Sequence, residues 1–284
     1  MIRFGVAGWD YKDWWGPVYP ATRSKGFDPL AYLSRYFDTI EINSTFYRPP
    51  TRKSAASWAC RVEQNERFTF TAKLWRRFTH ERDQAWTRNE VAAVHNGLAP
   101  LRDAGTLGCL LIQFPWSFKR DAKSREWLED VVRAFDEFPL AVEVRHSSWN
   151  VPEFYLGLGE RGIGAVNIDQ PIYAKSIEPD AQVTSPVGYV RLHGRNYENW
   201  FRDNAESHER YDYLYTKTEL ESWMDRIHEV AERARDTYVI TNNHFVGQAP
   251  ANAAMLKKMH GDDVELPPEL LKTFRDALGT VGIT

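Results

Sequence analysis

The sequence predicts a single (β/α)8 TIM barrel over residues 1–284, and three observations lead there. Eight short strand-like runs alternate with segments that can hold a helix, which implies parallel pairing through right-handed crossovers. No linker, low-complexity tract or compositional break divides the chain. The first strand also lacks a following GxGxxG turn, the feature that would favour an open doubly wound sheet. At 284 residues a closed barrel is the economical way to bury both faces of such a sheet.

Strands are expected at 2–8, 38–43, 67–74, 107–114, 138–145, 162–169, 187–193 and 237–242. The first helical stretch, 28–37, opens on Asp28-Pro29, a capping residue followed by a proline suited to the first turn. Others fall at 51–62, 88–104, 121–136, 151–161 and 218–235. A further helix begins at Asn252, and 267–279 adds another. The longest interruption, 194–217, follows the seventh strand and is rich in aromatic and charged residues. A loop of that length in a compact domain is usually functional or mobile, which makes it a lid candidate.

Parallel-barrel strands are normally apolar on both faces. Several here alternate instead: Thr39-Ile40-Glu41-Ile42-Asn43, Thr69-Phe70-Thr71-Ala72-Lys73, Ala141-Val142-Glu143-Val144-Arg145, Ala165-Val166-Asn167-Ile168-Asp169 and Tyr189-Val190-Arg191-Leu192-His193. Period two puts each polar set on one face. With the apolar residues against the helices, the polar set points into the barrel, and small Thr39, Thr69, Ala141 and Ala165 lie deepest. The charges then gather at the strands' C-terminal ends, where barrel enzymes place their chemistry. The expected lining is Glu41, Asn43, Lys73, Gln113, Glu143, Arg145, Asn167, Asp169, Arg191 and His193, closed by Asn242, Asn243 and His244. Glu41, Glu143 and Asp169 balance Lys73, Arg145 and Arg191 in number. Buried ion pairs seldom outdo apolar packing for stability, so the lining points to a polar ligand.

Composition narrows the classes. Net charge is -3, which does not suggest bulk attraction to nucleic acid or an acidic membrane. Cys60 and Cys109 are too few for a disulfide framework and fit a reducing cytoplasm. No run approaches the roughly 20 apolar residues of a membrane-spanning helix. Aromatic residues reach 14%, with 11 Trp, several beside turns. Of these, Trp9, Tyr47, Trp116 and Trp149 follow strand ends and are expected to wall a pocket.

Five segments carry a resemblance: Glu41-Ile42-Asn43-Ser44-Thr45-Phe46-Tyr47-Arg48-Pro49-Pro50, Gln113-Phe114-Pro115-Trp116-Ser117-Phe118, Glu143 to Trp149, Tyr189 to Gly194, and Asn242-Asn243-His244-Phe245 with Gly247, Ala249, Asn252 and Ala253. In this order they are similar to the YecE-like family, domain of unknown function seventy-two, from Gly5 to about Leu256. The resemblance implies a TIM barrel and supplies no activity. A loose link of that family to sugar isomerases is an analogy of fold.

The residues favour a metal-independent enzyme for a small polar, anionic or sugar-like substrate. Lys73, Arg145 and Arg191 would hold an anion, Glu41 or Glu143 would act as base, and His193 as the partner acid. Lys73 could alternatively form a Schiff base as a neutral amine. Trp9, Asn43, Tyr47, Gln113, Trp149, Asn167, Asp169, Asn242, Asn243 and His244 would contact substrate. No cofactor is predicted. A divalent metal on Glu143, Asp169, His193 and Asn242, as in sugar isomerases, is an alternative weakened by the neutral Asn and nearby arginines. Paired-carboxylate glycoside hydrolysis and a non-catalytic sensor are further alternatives. The cation–aromatic run Lys73 to Arg82 leaves nucleic-acid binding or processing as another.

Overall fold

The computed structural model describes residues 1–200, 202, 204 and 207–284, apart from the side chains of Ser207 and His208. Its eight strands are β1 (Ile2–Ala7), β2 (Thr39–Ile42), β3 (Thr69–Lys73), β4 (Leu107–Gln113), β5 (Leu140–Glu143), β6 (Gly164–Asp169), β7 (Val187–Leu192) and β8 (Asp236–Thr241). Each pairs in parallel with its successor, and β8 pairs with β1, so the sheet closes as a (β/α)8 barrel.

The covering helices are α1 (Pro29–Leu33), α2 (Arg52–Val62), α3 (Arg88–Asp103), α4 (Ala122–Ala134), α5 (Pro152–Glu160), α6 (Ser207–Arg210), α7 (Lys217–Arg233), α8 (Gln248–His260), α9 (Pro268–Thr273) and α10 (Arg275–Gly279). Their starts carry the expected chemistry: Asp28 and Asp121 cap α1 and α4, while Thr87/Glu90 and Thr216/Glu219 form capping boxes on α3 and α7. α1 stops short of residue 37 because Asn65 Nδ2 donates to the carbonyls of Ser34 and Phe37, which hold the chain in turns. α8 begins at Gln248 rather than Asn252, set by Gly247 in the left-handed region at φ 85°. The expected helix 267–279 breaks at Phe274 into α9 and α10.

Outward strand residues such as Ile40, Ile42, Phe70, Ile112 and Val142 pack under the helices. Inside, Ala7, Cys109, Leu111, Ala141, Tyr189, Tyr238 and Ile240 form an apolar plug. The polar face of β2, β3, β5 and β7 sits above this plug, as the alternation predicts.

β6 departs from the expected facing. Val166 and Ile168 register with inward Tyr189 and Arg191, so Ala165, Asn167 and Asp169 face outward. The crossover 170–186 that covers this outer face has no helix and offers polar backbone instead. Asn167 bonds that backbone twice, donating to Gln182 O at 2.9 Å and accepting from Gln182 N at 2.7 Å. Alternation fixed the period of β6 but not its phase.

Candidate active site

The floor of the mouth is an ion network sealed from water. Glu41 on β2, Glu143 on β5 and Arg191 on β7 are each at most 1% exposed. Arg191 donates to both oxygens of Glu41, Nη2 at 2.7 Å and Nε at 2.9 Å, and its Nη1 reaches Glu143 Oε2 at 2.5 Å. Arg145 Nε donates to Glu143 Oε1 at 2.8 Å, and Tyr189 OH donates to Glu41 Oε2 at 2.8 Å. All four carboxylate oxygens are therefore engaged. Burial opposes the charge of Glu143, but the guanidiniums of Arg191 and Arg145 outweigh it and hold its carboxyl well below the usual range. Burial likewise opposes the charge of Arg191, and Glu143 and Glu41 more than restore it.

His193, fully buried, completes the floor. Its Nδ1 lies 3.0 Å from Asn242 Nδ2, and its Nε2 stands 3.3 Å from both Arg145 Nη2 and Glu143 Oε1 and 3.4 Å from Arg191 Nη1. Burial first and Arg145 next lower its pKa to about 3, so the ring is neutral.

Above this floor opens a cleft of about 880 Å³. Lys73, the last residue of β3, reaches it with its ammonium nitrogen 4.2 Å from the centre of the Phe46 ring. Burial and then Arg191 lower its pKa to about 7, against the pull of Glu41 and Glu143. His80 stands edge-on to the same Phe46 ring at 4.8 Å and also lines the cleft. Burial, then Lys73 and Arg145, depress it to about 3. Two basic groups on one wall are thus discharged in part by neighbouring cations: the cleft is electropositive. Trp9, Asn43, Tyr47, Gln113, Asn242 and His244 line it as expected, with Tyr47 on the rim at 67% exposure. A second hollow of about 710 Å³ lies beside α5, lined mostly by apolar and backbone groups.

The segment after β7 lies across the mouth. It leaves His193 through Gly194, at φ 90°, where a Cβ would stand 2.8 Å from Tyr213 Cβ. Arg195 Nε and Nη2 donate to Asp169 at 2.9 Å, and Tyr215 OH donates to the same carboxylate. Between these anchors, the rings of Trp200 and Tyr211 sit 6.3 Å and 6.5 Å from the His193 ring. The expected lid segment also contains Phe201, Asp203, Ala205 and Glu206, which lie outside the described residues.

Residues 3–273 match the sequence profile described as "Protein of unknown function DUF72". The chain belongs to the DUF72 family. A DUF72 structure from Thermotoga maritima is 34% identical, with a TM-score of 0.81 over 92% of this chain and all of that one. A DUF72 structure from Enterococcus faecalis is 24% identical, with a TM-score of 0.80 over 94% and 98% of the two chains. The UPF0759 protein YunF of Bacillus subtilis is 27% identical over 96% of this chain and 100% of its own length. An O-GlcNAc hydrolase mutant from Thermobaculum terrenum covers 98% of this chain and 63% of its own, at 10% identity and a TM-score of 0.50; that likeness is one of fold.

In this DUF72 protein, four of the expected lining residues sit elsewhere. Asn167 and Asp169 face outward on β6, as described above. Asn243 falls one step out of phase with Asn242 and donates to Tyr213 O and Asn252 Oδ1, tying β8 to α8. Trp149 is core: 1% exposed, it stacks on Phe118 and donates Nε1–H to Phe118 O. With Asp169 turned away, the quartet Glu143, Asp169, His193 and Asn242 is not assembled. Among the described residues no three His, Cys, Asp or Glu side chains are placed to hold a metal ion. No helix among the described residues is long and apolar enough to cross a membrane.

Sequence reasoning missed Tyr11, Phe46, Arg76, His80, Arg210 and Tyr211, all in the cleft wall. Arg76 and His80 lie in the cation–aromatic run after β3, which was the signal for them. The other cations of that run turn away: Arg77 pairs with Glu90, and Arg82 packs over Phe118.

Proposed function

We propose that this DUF72 protein is an enzyme acting on a small, polar, anionic substrate held in the barrel mouth, with proton transfers made by its own side chains. One observation carries the reading: among the described residues the cleft lining presents Lys73, Arg76, Arg145 and Arg210 against one carboxylate, Asp10, with Arg76 paired to Glu81 at 2.8 Å and the glutamates beneath consumed by Arg191 and Arg145. A wall with surplus cations and flat aromatic faces suits an anion attached to a compact polar body. Arg145 offers Nη1 to the anion, its Nε being held by Glu143 and its Nη2 lying 3.3 Å from His193 Nε2. Lys73, about half neutral near pH 7, is suited to move protons in either direction. Glu41, Glu143 and His193 then act as positioning residues, because none of them opens to the cleft. Paired-carboxylate glycoside hydrolysis fits poorly, since Glu41 and Glu143 are locked on one guanidinium. Nucleic acid fits less well than a small molecule, since half of the basic run points away from the mouth.

Tryptophan fluorescence tests the reading, because Trp9, Trp116 and Trp200 line the cleft. Titration with inorganic phosphate and small sugar phosphates should saturate, and Arg145→Ala should weaken binding at least about tenfold, as loss of a charge-assisted contact predicts. Absence of saturable binding across the series, or binding indifferent to Arg145→Ala, refutes it.

A further inference from the structure

We infer that Lys73 is a covalent catalyst, forming a Schiff base with a small oxo acid or oxo phosphate bound in the cleft. The inference rests on the anion-binding reading above and adds the reacting bond. Among the described residues the Lys73 ammonium has neither a salt bridge nor a hydrogen bond; its contact is the face of Phe46. Every other deep cation of the mouth has a carboxylate: Arg191 holds Glu41 and Glu143, and Arg145 holds Glu143. The two acids that could have kept Lys73 charged are thereby occupied. A lysine meant only to bind an anion gains from a nearby carboxylate that keeps it protonated. Here burial, with Arg191 and Arg145, outweighs the pull of Glu41 and Glu143, the environment in which lysine becomes a neutral nucleophile.

The site also supplies a route for protons. His80, neutral at pH 7, stands against the same Phe46 ring as Lys73. The lone pair of the neutral amine attacks the carbonyl carbon while the C=O π pair moves to oxygen, which takes up a proton. The nitrogen loses one proton, for which the neutral imidazole of His80, on the same wall, is the acceptor. The C–O bond of the carbinolamine then breaks, water leaves with a second proton, and the nitrogen lone pair closes the C=N⁺ bond. The sum is amine plus carbonyl plus one proton giving iminium plus water, with no change of oxidation state. The iminium draws electrons from a bond at the neighbouring carbon, so the reactions open to it are enolisation, aldol cleavage or decarboxylation. Arg145 and Arg76 would hold the carboxylate or phosphate that brings the carbonyl to Nζ.

The test uses the whole protein with glyoxylate, pyruvate and dihydroxyacetone phosphate as probes, each reduced in place with sodium borohydride. Peptide mass mapping should find the secondary-amine adduct on Lys73 at roughly a thousandfold above any ordinary lysine, reflecting the larger neutral fraction near pH 7. Inorganic phosphate should suppress the adduct, and Lys73→Arg should abolish it with the far-ultraviolet dichroism unchanged. The trapping rate should rise with a midpoint near pH 7, as set by burial and by Arg191, Glu41, Glu143 and Arg145, with Asp10, Arg76, His80 and Arg210 among the other charged or titratable groups on the cleft lining. Should Lys73→Arg fail to fold, this midpoint in the unmutated protein decides: a midpoint near that of free lysine overturns the inference. Probes that bind by fluorescence yet leave no adduct on Lys73 overturn it while sparing the anion site. Failure of both phosphate and the probes to bind removes both readings.

Discussion

Lys73 should destabilise the fold that holds it, and the size of the effect follows from its surroundings. An ordinary lysine, as in the unfolded chain, titrates at 10.5, whereas burial and Arg191 bring folded Lys73 to about 7. Between those values the unfolded state binds the extra proton, so stability rises with pH across the window and is lost as pH falls towards the folded value. Below about pH 7 the full penalty applies, at most ~4–5 kcal/mol for a shift of this size at about 1.4 kcal/mol per unit. Water at the open side of the cleft screens part of it, so ~2–3 kcal/mol is the expected measurable share. Lys73→Met keeps the apolar stem and removes the charge. Urea denaturation at about pH 6 should therefore find Lys73→Met the more stable protein, with the advantage shrinking steadily by about pH 10. Other titrations common to both proteins cancel in the difference. A variant that is less stable at the acidic end, or whose difference does not change with pH, would show that the ammonium is comfortably solvated or paired. The argument for a reactive amine would then fail.

Three further outcomes follow from the same geometry. Arg191→Met strands two buried glutamates and should cost ~3–5 kcal/mol in urea denaturation, with part of the loss recovered by adding Glu41→Gln. Trp149→Ala should lose ~3–5 kcal/mol by opening a core cavity, yet leave phosphate titrations unchanged, since the ring packs on Phe118 away from the cleft. Asp169→Asn removes the charge that anchors Arg195 and Tyr215, so amide hydrogen exchange should accelerate at residues 194–200 and 211–215 and not in β6 itself.

The barrel was legible because strand number and parallel pairing leave a periodic trace, and because the closed form needs no signal beyond it. The site was legible where polar residues alternate with branched apolar ones, as at Glu41, Lys73, Glu143 and Arg191. Period two reports that a strand has two unlike faces, but not which face looks inward. β6 shows the consequence. Its polar face turned out because the crossover above it is irregular backbone, able to satisfy Asn167 where a helix would have demanded an apolar cover. Trp149 misled for a different reason: following a strand end places a residue near the mouth, while the direction of its ring depends on its stack with Phe118, distant in sequence. Tyr11 and Tyr211 reach the cleft from loops, where no periodicity exists to read.

The floor network admits a purely structural account, and its weakness bears on the whole reading. Two glutamates and two arginines cancel, and an apolar quartet of similar volume would serve folding as well or better. Such a replacement would also be simple at the top of a barrel whose lower plug is already apolar. What it would remove is a fixed guanidinium near Lys73, together with the glutamates that offset the cost of burying it. Arg191 spends both acids in hydrogen-bonded pairs, and after burial it is the largest influence lowering the lysine. The order of layers, apolar plug, neutralised ion floor, unpartnered amine, makes little sense as scaffolding alone. It makes sense as a way to hold one amine near its titration point at the pH of the cell.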